Sequence, residues 1–314
     1  MRKSFRPLKL SAFFAAVGAA AQFASANVTI VPTFASSITG NPNAADIETG
    51  INNAIAQVSG YLTNNVTVHI TFEADENVGL GQSNTTFFFP TYTDYLNRLH
   101  NNQTLSADDN TALATLPAGP NNPSNGGNSM FVSSALYRAL GNNTAIATDS
   151  VISVKTSICN LLRTGPQDPN KYDLQQVVMH EICEALGSGG AGSTIGGGPS
   201  AGTLDLYRYS ASGVRSRTTD PNATAYFSIN GGATNLSFFN QNGGGDYADW
   251  ATTPPNAFPQ VQDAFSTPGV QLNLDATELT ALDVVGWNVA VPEPASLGAL
   301  ALTVGGACLV RRRR

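Results

Sequence analysis

Two short apolar stretches with basic flanks bracket this chain and confine the foldable part to the residues between them. Leu10 to Ala21 follows Arg2, Lys3, Arg6 and Lys9 and leads into Ala24-Ser25-Ala26. That is the order of a secretory signal, with a basic region, an apolar core and a small-x-small cleavage site, so residues 1–26 are expected to be removed after Ala26. At the other end, Ala295 to Val310 is apolar and is followed by Arg311 to Arg314. As a helix its sixteen residues would reach about 24 Å against a hydrocarbon core of about 30 Å, a marginal span that snorkelling arginines help to complete. The arginines would face the cytoplasm and leave the body outside, on a transient membrane anchor.

The charge balance changes once the ends are set apart. Eight of the sixteen lysines and arginines lie in the two ends, so that between them eight bases face 22 acids, a net of −14 where the whole chain carries −6. Affinity for phosphate backbones rests on clustered Lys and Arg. Nucleic acid is therefore excluded as a partner.

Residues 27–290 form the body. Its two cysteines, Cys159 and Cys183, allow one disulfide but do not make a disulfide scaffold, and Cys308 belongs to the tail. Ala44 to Leu62 has helical spacing, with Ile47, Ile51, Ile55, Val58 and Leu62 on one face, and Val66 to Phe72 alternates as a strand. A polar helical region follows over residues 91–116, then a loop rich in Pro, Gly and Asn to residue 128. Residues 131–140 are consistent with helix, and residues 151–158, 204–209 and 225–229 read as strands. Asp173 and Gln176 have capping-box spacing at the start of a helix that Gly187 closes. Eight glycines in the sixteen residues from Gly187 to Gly202 predict a flexible loop. A last helix runs from an Asp275 N-cap to Gly286. The pattern is mixed α+β.

The helix from Asp173 carries His180-Glu181-Ile182-Cys183-Glu184 among apolar neighbours. Residues four apart stack on one helical face with about 5–6 Å between Cβ atoms, the spacing at which His180 and Glu184 can share a metal ion. Glu181 lies beside them, where a carboxylate can take a proton from water activated by that ion. The pattern is His-Glu-x-x-His with Glu184 in the last place. His69 faces away from the apolar row of its strand and His100 ends a polar helix; neither is assigned a role.

Two family resemblances follow from these residues. Val291-Pro292-Glu293-Pro294, the apolar segment and the terminal arginines closely resemble a PEP-CTERM sorting tail over residues 291–314. That resemblance implies a Gram-negative exported protein, processed near the motif by an exosortase and associated with exopolysaccharide or the cell envelope. The helix motif with Ala185-Leu186-Gly187, the helix-then-strand start over residues 44–72 and the closing Leu279 to Trp287 resemble metzincin-like metallopeptidases of the zincin class. The resemblance implies a twisted mixed sheet with an active-site helix. In most metzincins a third histidine stands where this chain has Gly190. In leishmanolysin-like members the third ligand follows a long insertion, and there Asp249 of Gly245-Asp246-Tyr247-Ala248-Asp249-Trp250 takes its place, with Asp246 and Asp205 as alternatives. Asp205 also has Arg208 within reach as an ion-pair partner. The methionine turn of the family has no counterpart after Met179.

The expectation is an exported zinc endopeptidase acting on polypeptide, with Glu181 as general base and His180, Glu184 and Asp249 as ligands. Two carboxylates would offset the charge of a bound Zn²⁺ and shift preference towards Mn²⁺ or Ca²⁺. The alternative is a surface or matrix protein that keeps the fold without efficient catalysis.

Overall fold

A computed structural model describes residues 28–102 and 105–290. The signal, the sorting tail and Cys308 lie outside the described residues, and among those described no helix is long and apolar enough to cross a membrane. The chain opens with strand β1 (Thr29–Phe34), a single helical turn α1 (Ser36–Thr39), the long helix α2 (Ala44–Gly60) and strand β2 (Thr67–Ala74). Strands β3 (Gly81–Thr85) and β4 (Phe87–Phe88), helices α3 (Tyr92–Asn101) and α4 (Ala107–Leu113), strand β5 (Met130–Ser133), helix α5 (Ser134–Ala139) and strand β6 (Ser150–Val154) follow. Short strands β7 (Cys159–Asn160) and β8 (Tyr172–Asp173) lead into helix α6 (Leu174–Ala185). Beyond it come β9 (Ala201–Gly202), β10 (Arg208–Ala211), β11 (Val214–Arg215), β12 (Tyr226–Phe227), β13 (Ser237–Phe238) and the closing helix α7 (Ala276–Val285).

The principal sheet has the order β1-β2-β6-β3. Strands β1, β2 and β6 are parallel, and β3 runs antiparallel to β6 at the edge, with Gly81 opposite Val154 and Thr85 opposite Ser150. Its alternation is the reason it forms: Val68, Ile70 and Phe72 are buried while the residues between them are not. Helix α2 turns Ile47, Ile51, Ile55 and Val58 inwards and packs on α6, which lies along β3 and β6. A second antiparallel sheet, β11-β10-β12-β13, closes over Tyr207, Phe227, Phe239 and Trp250, with ring centroids 5.1 Å apart for Phe239–Trp250 and 5.6 Å for Phe227–Trp250. Helix α7 ties the parts together. Trp287 donates to the Leu186 carbonyl at 2.8 Å, and the Tyr95 and Tyr207 hydroxyls donate to the Val285 and Val284 carbonyls at 2.9 and 3.0 Å. These bonds supply partners for carbonyls that a helix C-terminus leaves unpaired.

The mixed α+β class holds, and several boundaries move for local reasons. The polar region 91–116 is two helices, because Ser106 and Asp109 form a capping box that restarts the chain at α4. Residues 131–140 divide at Ser133, whose hydroxyl accepts from the Leu136 amide and begins α5. Residues 204–207 are a 3₁₀ turn rather than strand. The strand over 151–158 ends at Val154 and gives way to a 3₁₀ turn at Thr156–Ile158. Asp173 stands at the start of α6 but makes no capping bond, since Arg163 takes its carboxylate at 2.6 Å. Cys159 and Cys183 are both buried free thiols. Cys159 turns towards the Lys155 carbonyl at 3.4 Å, and burial raises its pKa to about 12; burial also pushes Cys183 up, with Glu278 adding to it.

Candidate metal centre

Helix α6 brings the site together because its motif lies inside the core rather than on the surface. Val177, Val178, Met179 and Ile182 are buried, and so are Glu181 and Glu184, at 5 % and 6 % exposure. The helix ends in a Schellman motif: Gly187, at φ +88°, donates to the Glu184 carbonyl and Ser188 to the Cys183 carbonyl. Asp249 arrives from the opposite side. The loop that carries it is pinned by Arg208, which is 1 % exposed, stacks over Phe239 at 4.4 Å and donates to the Tyr247 carbonyl at 2.5 Å.

His180 Nε2 is 3.5 Å from Glu184 Oε1 and 3.5 Å from Asp249 Oδ2. One donor atom from each of the three residues lies within 4.8 Å of the others. Ligands bonded at about 2.0–2.2 Å to one tetrahedral ion stand about 3.3–3.6 Å apart, so the two distances are compatible with one shared ion. The outer atoms of each side chain are held from behind. His180 Nδ1 lies 3.0 Å from the Val261 carbonyl. A carbonyl can only accept, so Nδ1 carries a proton, and Nε2 is the nitrogen turned to the shared point, where it can bond an ion once its own proton is lost. Ser83 donates to Glu184 Oε2 at 2.6 Å, and Gln262 donates to Asp249 Oδ1 at 3.2 Å, which leaves Oε1 and Oδ2 facing His180.

Glu181 is the fourth member. Its Oε1 lies so close to the backbone of β3 that a Cβ at Gly81 would overlap it, and its Oε2 is buried with no hydrogen-bond partner. A buried carboxylate oxygen without a donor is costly, and burial with the charge of Glu184 favours the neutral form of the group. The donor set of one imidazole and two carboxylates, with an orphaned acceptor alongside, fits a divalent ion. Electrostatics agree with the crowding. Burial, followed by the charge of Glu184, pushes the Glu181 carboxyl well above the usual range. Burial also raises Asp249, whereas Glu184, though equally buried, is held low by hydrogen bonds to His180 and Ser83. Burial of His180 opposes its charge, but Asp249 and Glu184 more than offset this and raise it.

The other aspartates separate clearly. Asp246 lines the same cleft, of about 620 Å³, without joining the three-residue group, and burial with Glu184 nearby raises it to about 6. Asp205 is elsewhere: it pairs with Arg217 at 3.0 Å, not with Arg208, and accepts from Ser193, Thr194 and Gly202 to knit the glycine-rich segment. His69 is half-buried on β2 and His100 is exposed at the end of α3. Residues that sequence reasoning did not find are Ser83, Gln262, Val261 and Gly81, which hold or border the ligands from distant segments. Compared with family models, curated proteins and solved structures, the chain matches none.

Proposed function

We propose that this chain is an exported metal-dependent endopeptidase with a metzincin-like fold, residues 27–290 forming its catalytic body. The observation that carries the reading is the convergence of His180, Glu184 and Asp249 at the spacing of one ion, with Glu181 beside them. Zinc is the proposed ion. When bound, such an ion polarises a scissile carbonyl and acidifies water. The chain's own residues supply the rest. Glu181 takes the proton of the attacking water and passes it to the leaving amine. Ser83 and Gln262 keep the two ligand carboxylates turned inwards. Strand β3, antiparallel and terminal in its sheet, borders the cleft through Gly81, Gln82 and Ser83, where an extended polypeptide can add as a further strand.

Export rests on the reading of residues 1–26, and sorting by an exosortase, with transient anchoring and exopolysaccharide or envelope association, on that of residues 291–314. A second reading draws on the donor set. Two carboxylates neutralise a divalent charge that three imidazoles would leave free, which weakens water activation and favours Mn²⁺ or Ca²⁺. On that reading the protein is a surface or matrix component that retains the fold without efficient catalysis. Metal analysis of the purified protein, with parent and Glu181→Gln assayed on casein, separates the two. The peptidase predicts bound transition metal and loss of hydrolysis in the variant. Absence of such a metal, or equal activity in both proteins, refutes it.

A further inference from the structure

Two of the three ligands are held from behind by one pair of residues. His180 Nδ1 donates to the Val261 carbonyl at 3.0 Å, and the Gln262 side chain donates to Asp249 Oδ1 at 3.2 Å. The Val261 carbonyl and the Gln262 N–H belong to a single peptide unit, and the cis bonds among the described residues lie elsewhere, before Pro254 and Pro255. In a trans peptide the two groups point in opposite directions. The N–H turned away from His180 donates to Glu278 Oε1 at 2.7 Å. The Gln262 carbonyl in turn accepts from the Trp250 amide at 2.9 Å, next along the chain from Asp249.

Glu278 therefore serves two elements. The capping box of α7 occupies one oxygen, Oε2, which accepts from the Asp275 amide at 2.8 Å. Its Oε1 leaves the helix for the peptide behind His180. Glu278 is 3 % exposed, and no ion pair among the described residues includes it. A carboxyl this deeply buried is costly unless its oxygens are met, and the two amides meet them. Helix capping accounts for Oε2 alone.

We infer that Glu278 is a positioning residue of the metal centre: by holding the Val261–Gln262 peptide, it sets both the carbonyl that orients His180 and the side chain that orients Asp249. Groups behind a ligand fix its orientation and basicity and so tune metal affinity. Here the outer group acts through one intervening peptide, which couples the first turn of α7 to a ligand on α6. The inference rests on the metal-binding part of the function proposed above and not on hydrolysis.

Glu278→Met removes the acceptor at similar side-chain length. Leu282→Ala, at a buried side chain of the same helix outside this chain of bonds, controls for lost stability. Calorimetric Zn²⁺ titration should show affinity on the order of tenfold weaker in Glu278→Met and within about twofold of the parent in Leu282→Ala. The second readout is the Nδ1–H proton resonance of His180 in zinc-loaded protein carrying isotope-labelled histidine. The chain has three histidines, and His69 and His100, which do not line the cleft, serve as references. The His180 resonance should move upfield or be lost to exchange in Glu278→Met and stay in place in Leu282→Ala. Unchanged zinc affinity in Glu278→Met overturns the inference, as does weaker affinity with the resonance unmoved, or equal effects in both variants. The metal-free parent supplies a measurement that needs no variant to fold. Hydrogen exchange at the Gln262 amide should be as slow as in the middle of α7, and exchange at the rate of an open loop overturns the inference. Both effects with zinc bound but casein uncleaved uphold the positioning role and refute the peptidase, whereas a parent that binds no Zn²⁺ overturns both.

Discussion

Replacing Glu278 with glutamine should make the protein less stable near pH 5 and more stable near pH 8. Glu278 is 3 % exposed at the first turn of α7, where it accepts from the Gln262 amide at 2.7 Å and from the Asp275 amide at 2.8 Å. Burial, reinforced by the charge of Asp275, raises its pKa from 4.5 to about 8. The folded state therefore holds a proton that the unfolded chain releases above pH 4.5. Stability from this proton is complete below the unfolded pKa and is lost as pH rises through the folded value. Each pH unit between those two values removes about 1.4 kcal/mol, so the loss across the window is on the order of several kcal/mol. Glutamine stays neutral throughout, but its amide end donates and cannot replace one of the two accepted bonds, which costs about 1 kcal/mol. The two stability curves should therefore cross between about pH 5 and pH 8. Urea unfolding at several pH values in chelator, so that no metal binds the other carboxylates, measures the difference directly. Parallel curves would refute the assignment of a proton to Glu278.

Two further predictions test how the site is held and how the body is packed. Gln262→Leu and Ser83→Ala should each weaken Zn²⁺ binding about 10- to 100-fold while leaving far-ultraviolet dichroism unchanged, because each removes a bond that orients a ligand carboxylate; calorimetric titration reads the affinity. Phe227→Ala should cost about 3–5 kcal/mol in denaturant unfolding, since the ring is fully buried between Tyr207, Phe239 and Trp250.

What the sequence made legible were the parts whose cause is local. The four-residue spacing placed His180 and Glu184 on one face of α6, and the Asp275 N-cap set the start of α7, where the structure adds Glu278 to complete a capping box. Where a side chain has two candidate partners, local pattern loses to tertiary structure. Asp173 had capping spacing, and Arg163, brought alongside by the β7–β8 pairing, took it instead. Asp205 had Arg208 three residues away, but Arg208 is drawn under Phe239 to hold the 240–247 loop. The support of His180 left no trace in the sequence, since its partner is the backbone carbonyl of Val261 and any residue type provides one. Asp249 was reached only through the resemblance to leishmanolysin-like enzymes. In the molecule its position depends on the buried Arg208 and on Gln262, both far from α6 in sequence.

The glycine-rich segment after α6 shows why the third donor comes from so far along the chain. It reads as a flexible loop, yet it holds a 3₁₀ turn at Gly189–Gly192 and a strand pairing at Ala201–Gly202. Its glycines are there for closeness. A Cβ at Gly190 would overlap Glu184 Oε1 and stand 2.7 Å from Asp246 Oδ2; one at Gly189 would overlap the Gln262 amide nitrogen and stand 3.1 Å from Asp249 Oδ1. The backbone thus passes directly against the donor set, and the volume that a side chain at position 190 would fill is taken by the carboxylates of Glu184 and, from the 246–249 loop, Asp246. A ligand at 190 and ligands from that loop are mutually exclusive solutions to one packing problem. The chain has adopted the second: Asp246 and Asp249 stand against Gly190 and Gly189, where a side chain would displace them.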